Sequence, residues 1–328
     1  MIELSVVVPV YYGERSIETL FERLNSTLRT LDITYELVFV DDRSPDQTWE
    51  RIKKIADCNK HVKGLRFSRN SGQHVAITAG LAYAEGNWIV VMDCDLEDPP
   101  EDIPRLYTEA KKGFDIVLAR RKTRHHSLFR RVAAKLYFKF LSMLCHQNID
   151  GDFGTFSIVS RKVVSAYLQV RDVDRHYLFV IRWLGFRSSI IDYEQNRRFD
   201  GESTYSVRAL LVHAISGILF QSTHFLIWII CLGFVVSLTG LALAAVYVVR
   251  YFVNGAFPGW TSLAVLQLIL SGFIITSTGV TALYVGRMFE QVKGRPLFVV
   301  DQTTFADPAD NTADVCVRPV KWSRTDGD

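Results

Sequence analysis

The run Asp93-Cys94-Asp95-Leu96-Glu97-Asp98-Pro99-Pro100-Glu101 directly follows the apolar segment Trp88-Ile89-Val90-Val91-Met92. Side chains alternate along a strand, so a strand ending here would send Asp93 and Asp95 out on one side. Two hard oxygen ligands on one side suit Mg²⁺ or Mn²⁺, which keep further positions for water and phosphate oxygens. The bland alternative is an acidic loop in which Asp98 caps a helix begun by Pro99 and Pro100. Cys94, between the aspartates, is expected to point to the opposite face and pack there.

The elements that must carry these carboxylates can be read from periodicity. Leu4 to Pro9, Tyr35 to Val40, Val62 to Phe67, Trp88 to Met92 and Ile116 to Ala119 are short apolar runs of buried-strand type. Ser16 to Leu31 has apolar residues at helical spacing, and Gly72 to Ala84 reads as a further helix. Ser44, before Pro45, looks like a helix N-cap. Strands alternating with helices predict an α/β, mostly parallel, Rossmann-like sheet covered on both faces. Such sheets bind ligands beyond the carboxyl ends of their strands. The polar clusters Tyr11 to Glu14, Asp41 to Asp46, Ser68 to His74 and Asp93 to Asp98 all follow strands on that edge.

The chain has 328 residues, 48% hydrophobic, with net charge +3, enough for one large α/β domain and something more. That modest charge gives no reason to expect nucleic acid as a partner. Phe225 to Val249 and Ala256 to Gly286 contain no charged residue. Each exceeds the roughly 20 apolar residues that cross a bilayer as a helix. The start, Met1-Ile2-Glu3-Leu4, has no basic region or cleavage site, so no signal peptide is expected. Basic residues flank the outer sides of the pair (Arg208, Arg287, Lys293, Arg295), while the short loop between has Arg250 only at its edge. This places the α/β domain and both termini in the cytoplasm of a multi-pass inner-membrane protein. The boundaries expected are the cytosolic α/β domain over 1–204, an amphipathic juxtamembrane helix over 205–223 and transmembrane helices over 224–250 and 261–287. An external loop over 251–260 joins the two helices, and a cytosolic tail follows over 288–328, mobile after Val300. Between Ile116 and Ile149 there is no acid, and Arg131, Lys135 and Lys139 line a basic stripe suited to anionic lipid head groups. The five cysteines are scattered without metal spacing and read as reduced thiols. Gly233 with Gly240, and Gly272 with Gly279, are small residues seven apart that would support helix contacts and a homo-oligomer.

Several separated motifs stand in a fixed order: Val8-Pro9-Val10-Tyr11, Val40-Asp41-Asp42-Arg43-Ser44-Pro45-Asp46, Arg69-Asn70-Ser71-Gly72-Gln73-His74 and Asp93 to Glu101. Gly151-Asp152-Phe153, Trp183-Leu184-Gly185-Phe186, Arg197 to Tyr205 and Gly294-Arg295-Pro296-Leu297 follow. Together they resemble family 2 glycosyltransferases of the GT-A fold, and within them the polyprenyl-phosphate glycosyltransferases related to dolichyl-phosphate mannose synthase and bacterial undecaprenyl-phosphate glucosyltransferases. The resemblance implies inverting, metal-dependent transfer of a sugar from a nucleotide sugar to a polyprenyl phosphate at the cytoplasmic membrane face. The donor it suggests is a UDP-hexose such as UDP-glucose, with the Gln73-His74 pair also resembling members that transfer aminoarabinose.

By the same resemblance, Pro9 and Tyr11 line the nucleotide pocket, and Asp41, with Asp42 nearby, accepts hydrogen bonds from base or ribose. Asp93 and Asp95 hold Mg²⁺ or Mn²⁺ with the donor diphosphate. Glu97, where the family more often has Gln, is a candidate third ligand. Tyr12-Gly13 replaces the family's usual Asn-Glu. Arg120, Arg130 and Arg198 match positions for phosphate or acceptor binding, and Ser203 adds a hydroxyl. Asp152 matches the family's base. A phosphate acceptor is already anionic near neutral pH, its second pKa being about 6, so Asp152 is expected to orient the acceptor or take its residual proton. Two other readings compete. A processive polysaccharide synthase usually carries Gln-x-x-Arg-Trp, whereas Phe179-Val180-Ile181-Arg182-Trp183 lacks the Gln. A catalytically silent membrane-anchored subunit would have no need of Asp93, Asp95 and Asp152.

Overall fold

A computed structural model describes residues 1–122, 153–172, 175–196 and 259–305, with scattered positions between 232 and 253. The chain divides into two compact units. One comprises Met1–His126, Gly151–Ser203 and Arg295–Asp328, the other Ser127–Asp150 and Thr204–Gly294. In the first unit the elements are β1 (Leu4–Val10), α1 (Ile17–Arg29), β2 (Tyr35–Asp41), α2 (Thr48–Cys58), β3 (Val62–Phe67), α3 (Gln73–Tyr83) and β4 (Trp88–Val91). A 3₁₀ turn (Pro100–Asp102) and α4 (Ile103–Ala110) lead to β5 (Ile116–Arg121). Then come β6 (Phe153–Ser160), α5 (Arg161–Gln169), α6 (Tyr177–Trp183) and β7 (Ser188–Tyr193). In the second unit, α7 runs from Trp260 to Val292 over 33 residues, and β8 (Val300–Thr303) returns to the first.

The eight strands form one sheet in the order β7-β5-β6-β4-β1-β2-β3-β8. β1 pairs in parallel with β2 and β4, β2 with β3, and β5 with β7. β6 runs antiparallel between β4 and β5, and β8 antiparallel on β3. Every residue of β1 is buried, as expected for a central parallel strand covered on both faces. Residues of alternate parity feed two cores. On one face, Leu4, Val6 and Val8 meet Leu20 and Leu24 of α1, Trp49 and Ile52 of α2 and Leu106 of α4. On the other, Val7, Val38 and Val40 meet Ala76 and Ile77 of α3, Tyr167 of α5 and Tyr177 of α6. Helix α3 lies so close to the sheet that a Cβ on Gly80 would come within 2.2 Å of Val7 Cγ1.

Four expectations are corrected. β4 ends at Val91, so Asp93 and Asp95 lie beyond the strand, Asp95 in a turn, and strand alternation does not aim them. Ser44 does not cap α2. That helix begins at Thr48, whose backbone N–H and hydroxyl both donate to Asp46, at 3.3 and 2.6 Å. Asp98 does not cap the turn begun by Pro100; it is fully buried and accepts from the Tyr193 hydroxyl. The segment expected to be mobile after Val300 is, through Phe305, the eighth strand and its extension. β8 adds an antiparallel edge that the polar run Val300-Asp301-Gln302-Thr303 does not announce. Cys94 packs against the first core, as its place in the sequence suggests.

The expected span over 224–250, the juxtamembrane helix over 205–223 and the basic stripe at 131–139 lie largely or wholly outside the described residues. The expected span over 261–287 falls inside α7. Among the described residues no helix is long and apolar enough to cross a membrane, and several positions early in α7 have side chains outside those described.

Candidate functional site

Of four described non-glycine residues in left-handed backbone, three lie in the loops that follow the carboxyl ends of β1, β2 and β4, Tyr12 (φ 57), Arg43 (φ 60) and Leu96 (φ 62), and the fourth, Asp32 (φ 49), follows α1. Such conformations cost roughly 1–3 kcal/mol each and persist only where the surroundings enforce them, which clusters them at functional sites. Here the enforcement is visible. Tyr12 N–H donates to Ser44 Oγ at 3.2 Å, and Ser44 N–H donates to Asp41 Oδ1 at 2.9 Å. The Leu96 side chain is buried in the first core. Tyr11 and Tyr12 are exposed and meet edge to face, ring centroids 4.7 Å apart.

Asp41 and Asp42 end β2 as buried carboxylates, and burial raises the pKa of both. Asp42 accepts from the backbone N–H groups of Ser71 (2.6 Å) and Gly72 (2.8 Å). Gly72 has φ 94, which a side chain would disfavour, and it leads into the first turn of α3. Asp41 lies 3.2 Å from Arg66 Nε without the alignment of a hydrogen bond. Its Oδ1 holds the loop 43–46 through the Ser44 N–H, and among the described residues its Oδ2 has no hydrogen-bond partner. Pro9 is buried in β1, opposite Val40.

The acidic loop after β4 faces the first residues of β6 and the last of β5 and β7. Asp93 Oδ1 accepts from Gln73 Nε2 (2.6 Å) and Thr155 Oγ1 (2.7 Å). Asp95 Oδ1 accepts from Glu97 N–H at 3.1 Å. Burial, then the charges of Asp98 and Asp95, hold the Asp93 carboxyl well above the usual carboxylate range, against the pull of Thr155 and Arg121. Asp98 is likewise pushed up by burial, with Tyr193 and Arg121 opposing. Arg121 Nε donates to Tyr193 Oη at 3.1 Å, and the same hydroxyl donates to Asp98. A chain Arg121–Tyr193–Asp98 therefore backs the carboxylates. Asp93 and Asp95, two carboxylates two residues apart beyond the end of β4, offer the hard oxygen donors that a divalent cation such as Mg²⁺ or Mn²⁺ takes.

Glu97 accepts from Gln195 Nε2, and its carbonyl accepts from Asn196 N–H at 2.9 Å. Among the described residues no group of three or more acidic, histidine or cysteine side chains gathers as a metal site. Arg120 is exposed and forks onto Asp192 at 2.7 and 3.2 Å, its partner in β7. The neighbouring Arg121, on the opposite side of the strand, is the arginine beside the acids; nothing in the two adjacent arginines alone distinguishes them. Asp152, Arg130, Arg198 and Ser203 lie outside the described residues. Phe153, which follows Asp152 in the sequence, pairs with Arg120.

Close by, His74 in the first turn of α3 and His176 before α6 meet at a tilt of 46° with ring centroids 4.0 Å apart, and His176 stacks on Phe179 at 4.2 Å. Among the described residues, neither buried Nδ1 atom has a hydrogen-bond partner. Burial lowers His74 to about 4, and burial together with His74 lowers His176 to about 3.

Residues 5–168, which carry the left-handed rim, Asp42 and the Asp93–Asp98 loop, match the model of glycosyl transferase family 2. The chain belongs to that family. It is a glycosyltransferase with an α/β, GT-A-like fold. The chain is 36% identical over 305 residues to an uncharacterized glycosyltransferase, sll0501, of Synechocystis sp., covering 91% of this chain and 95% of that one. It is 34% identical to the uncharacterized glycosyltransferase YkcC of Bacillus subtilis, covering 92% and 94%. It is also 30% identical to an undecaprenyl-phosphate 4-deoxy-4-formamido-L-arabinose transferase of Proteus mirabilis, covering 92% and 93%. Among solved structures, a glucosyl-3-phosphoglycerate synthase from Mycobacterium tuberculosis aligns over 66% of this chain and 76% of its own, with 17% identity and a TM-score of 0.46.

Proposed function

We propose that this glycosyltransferase moves a sugar from a nucleotide sugar, a UDP-hexose such as UDP-glucose, to undecaprenyl phosphate with inversion at the anomeric carbon. The observation that carries the reading is the acid cluster Asp93, Asp95 and Asp98 at the strand ends, backed by Arg121 and framed by three strained backbone positions. Family membership and relatives that act on undecaprenyl phosphate support the acceptor. Asp93 and Asp95 would hold Mg²⁺ or Mn²⁺. Bound there, the ion supplies charge neutralisation for the departing diphosphate.

The chain's own groups do the rest. Gln73 and Thr155 fix the rotamer of Asp93 through two hydrogen bonds. Arg121, anchored by Tyr193, presents further donors toward the diphosphate, for which a guanidinium fork is suited. The exposed Tyr11 ring offers a face for the base. Asp42 keeps the 71–72 turn closed against the β2 loop. Asp152 orients the acceptor phosphate or takes its residual proton, and Arg130, Arg198 and Ser203 bind it. An anionic acceptor leaves little for a base to do, so positioning two anions is the larger task.

The reading takes the reaction to the cytoplasmic face of the inner membrane, supported by a lipid acceptor and by the basic flanks of the two apolar segments. The chain would be held there by helices over 224–250 and 261–287, the second within α7. The test is a donor screen. Purified full-length protein, undecaprenyl phosphate, Mg²⁺ or Mn²⁺ and a panel of nucleotide sugars, including UDP-glucose and the UDP-linked formamido-arabinose, are assayed for lipid-linked sugar. Product from a UDP-hexose supports the reading. Product only from the arabinose donor corrects the sugar, and product from none with intact nucleotide binding overturns the transfer.

A further inference from the structure

We infer that β8 is a clamp on the donor-side loops, and that Asp301 acts through Arg43 as a positioning residue for nucleotide-sugar binding. The inference rests on the reading above, in which the loops after β2 and β3 receive the donor.

β8 reaches both loops at once. Asp301 Oδ2 accepts from Arg43 Nη1 at 2.7 Å, and Arg43 is the left-handed residue of the β2 loop. Gln302 is opposite Arg66 in the sheet and accepts from Trp49 Nε1 at 2.6 Å. Arg66 in turn sits 3.2 Å from Asp41, and its Nη2 donates to the Ser44 carbonyl at 3.5 Å. On the other loop, Ser68 N–H donates to the Val299 carbonyl at 2.9 Å, and Phe298, buried, stacks on Phe67 with centroids 5.3 Å apart. Thr304 closes the strand, its hydroxyl accepting from Gly64 N–H at 2.8 Å and its N–H donating to the Gly64 carbonyl at 3.0 Å.

Without β8, β3 would be the sheet's edge, and the loops after β2 and β3 would lean on their mutual contact through Asp42. A non-glycine residue in left-handed backbone relaxes when its constraint is removed. The Arg43–Asp301 pair is partly exposed, 44% and 39% at the side chains, so its share of the clamp is modest.

The test compares wild type, Asp301→Ala, Asp301→Glu, Arg43→Ala and the double alanine variant, all full length. Amide hydrogen exchange is read on residues 42–46 and 68–72, and steady-state kinetics give KM for donor and for undecaprenyl phosphate. The clamp predicts faster exchange in those loops for Asp301→Ala. It predicts a donor KM raised about threefold, the size set by a surface pair, with kcat and acceptor KM unchanged. Asp301→Glu should restore the donor KM, and the double variant should be no worse than either single one, since both remove one interaction. Unchanged loop exchange in Asp301→Ala overturns the clamp. Faster exchange with an unchanged donor KM keeps the clamp but overturns the assignment of these loops to the donor, and with it that part of the proposed function.

Discussion

Removing one oxygen atom, in Tyr193→Phe, tests the buried chain behind the acids. Tyr193 and Asp98 are both essentially inaccessible, at 1% and 0% exposure. The hydroxyl donates to Asp98 and accepts from Arg121 Nε at 3.1 Å. Among the described residues the other Asp98 oxygen has no hydrogen-bond partner, so the variant leaves that carboxylate without the donor it has. A hydrogen bond to a charged group is worth about 1.5–3 kcal/mol, and a buried acceptor left unpaired bears the upper part of that range. At about 2–4 °C per kcal/mol for a unit of this size, the melting midpoint should fall by about 4–12 °C. Tyr107→Phe is the control, because its hydroxyl meets Glu3 at the surface, where Lys111 also pairs with that carboxylate. Its midpoint should move by less than about 2 °C. Thermal denaturation of the two purified variants beside wild type reads both shifts. Equal shifts in the two variants, or no shift in Tyr193→Phe, would refute the buried chain as a structural support.

Two further outcomes follow from the same geometry. His74 and His176 are lowered by burial to about 4 and about 3, so the unfolded chain binds more protons than the folded one between those values and about 6.5. Stability should therefore fall as pH drops below about 6.5, and His176→Phe should flatten that slope in melts taken from pH 7.5 to pH 5. An equal slope in the variant would remove the pair as its source. Gly80→Ala puts a Cβ against Val7 in the central strand and should cost about 1–3 kcal/mol by overpacking, while Gly240→Ala, with nothing among the described residues within 4 Å of its Cβ position, should be near neutral; similar midpoints for the two would contradict the close approach of α3 to β1.

Much of the sheet is legible in the amino-acid sequence. β1 to β5 are apolar runs whose two faces are both covered, and such runs stand out because few polar residues interrupt them. The polar stretches after them necessarily fall at one edge once the strands are parallel. What the sequence hides depends on pairings distant along the chain. β8 has four residues, three of them polar (Asp301, Gln302 and Thr303), and only the presence of β3 makes it a strand. The choice between Arg120 and Arg121 turns on which side of β5 faces Asp98, and two consecutive arginines carry no mark of that. Tyr193 joins Asp98 across 95 positions of chain, beyond any local pattern. Asp46 takes the place expected of Ser44 at the start of α2 because its carboxylate reaches both the Thr48 N–H and hydroxyl. Asp93 and Asp95 stand out by type and spacing, though a turn with Leu96 in left-handed backbone aims them.

The most direct test of the central claim is a Mn²⁺ titration of lipid-linked sugar formation by wild type and Asp95→Ala, from chelator-treated enzyme upward. Saturable activation of wild type, no product in chelator, and loss of at least about a hundredfold in the variant (a removed transition-state interaction of about 3 kcal/mol) is the result predicted. Full transfer by chelator-treated wild type, or an unchanged rate in Asp95→Ala, would contradict it.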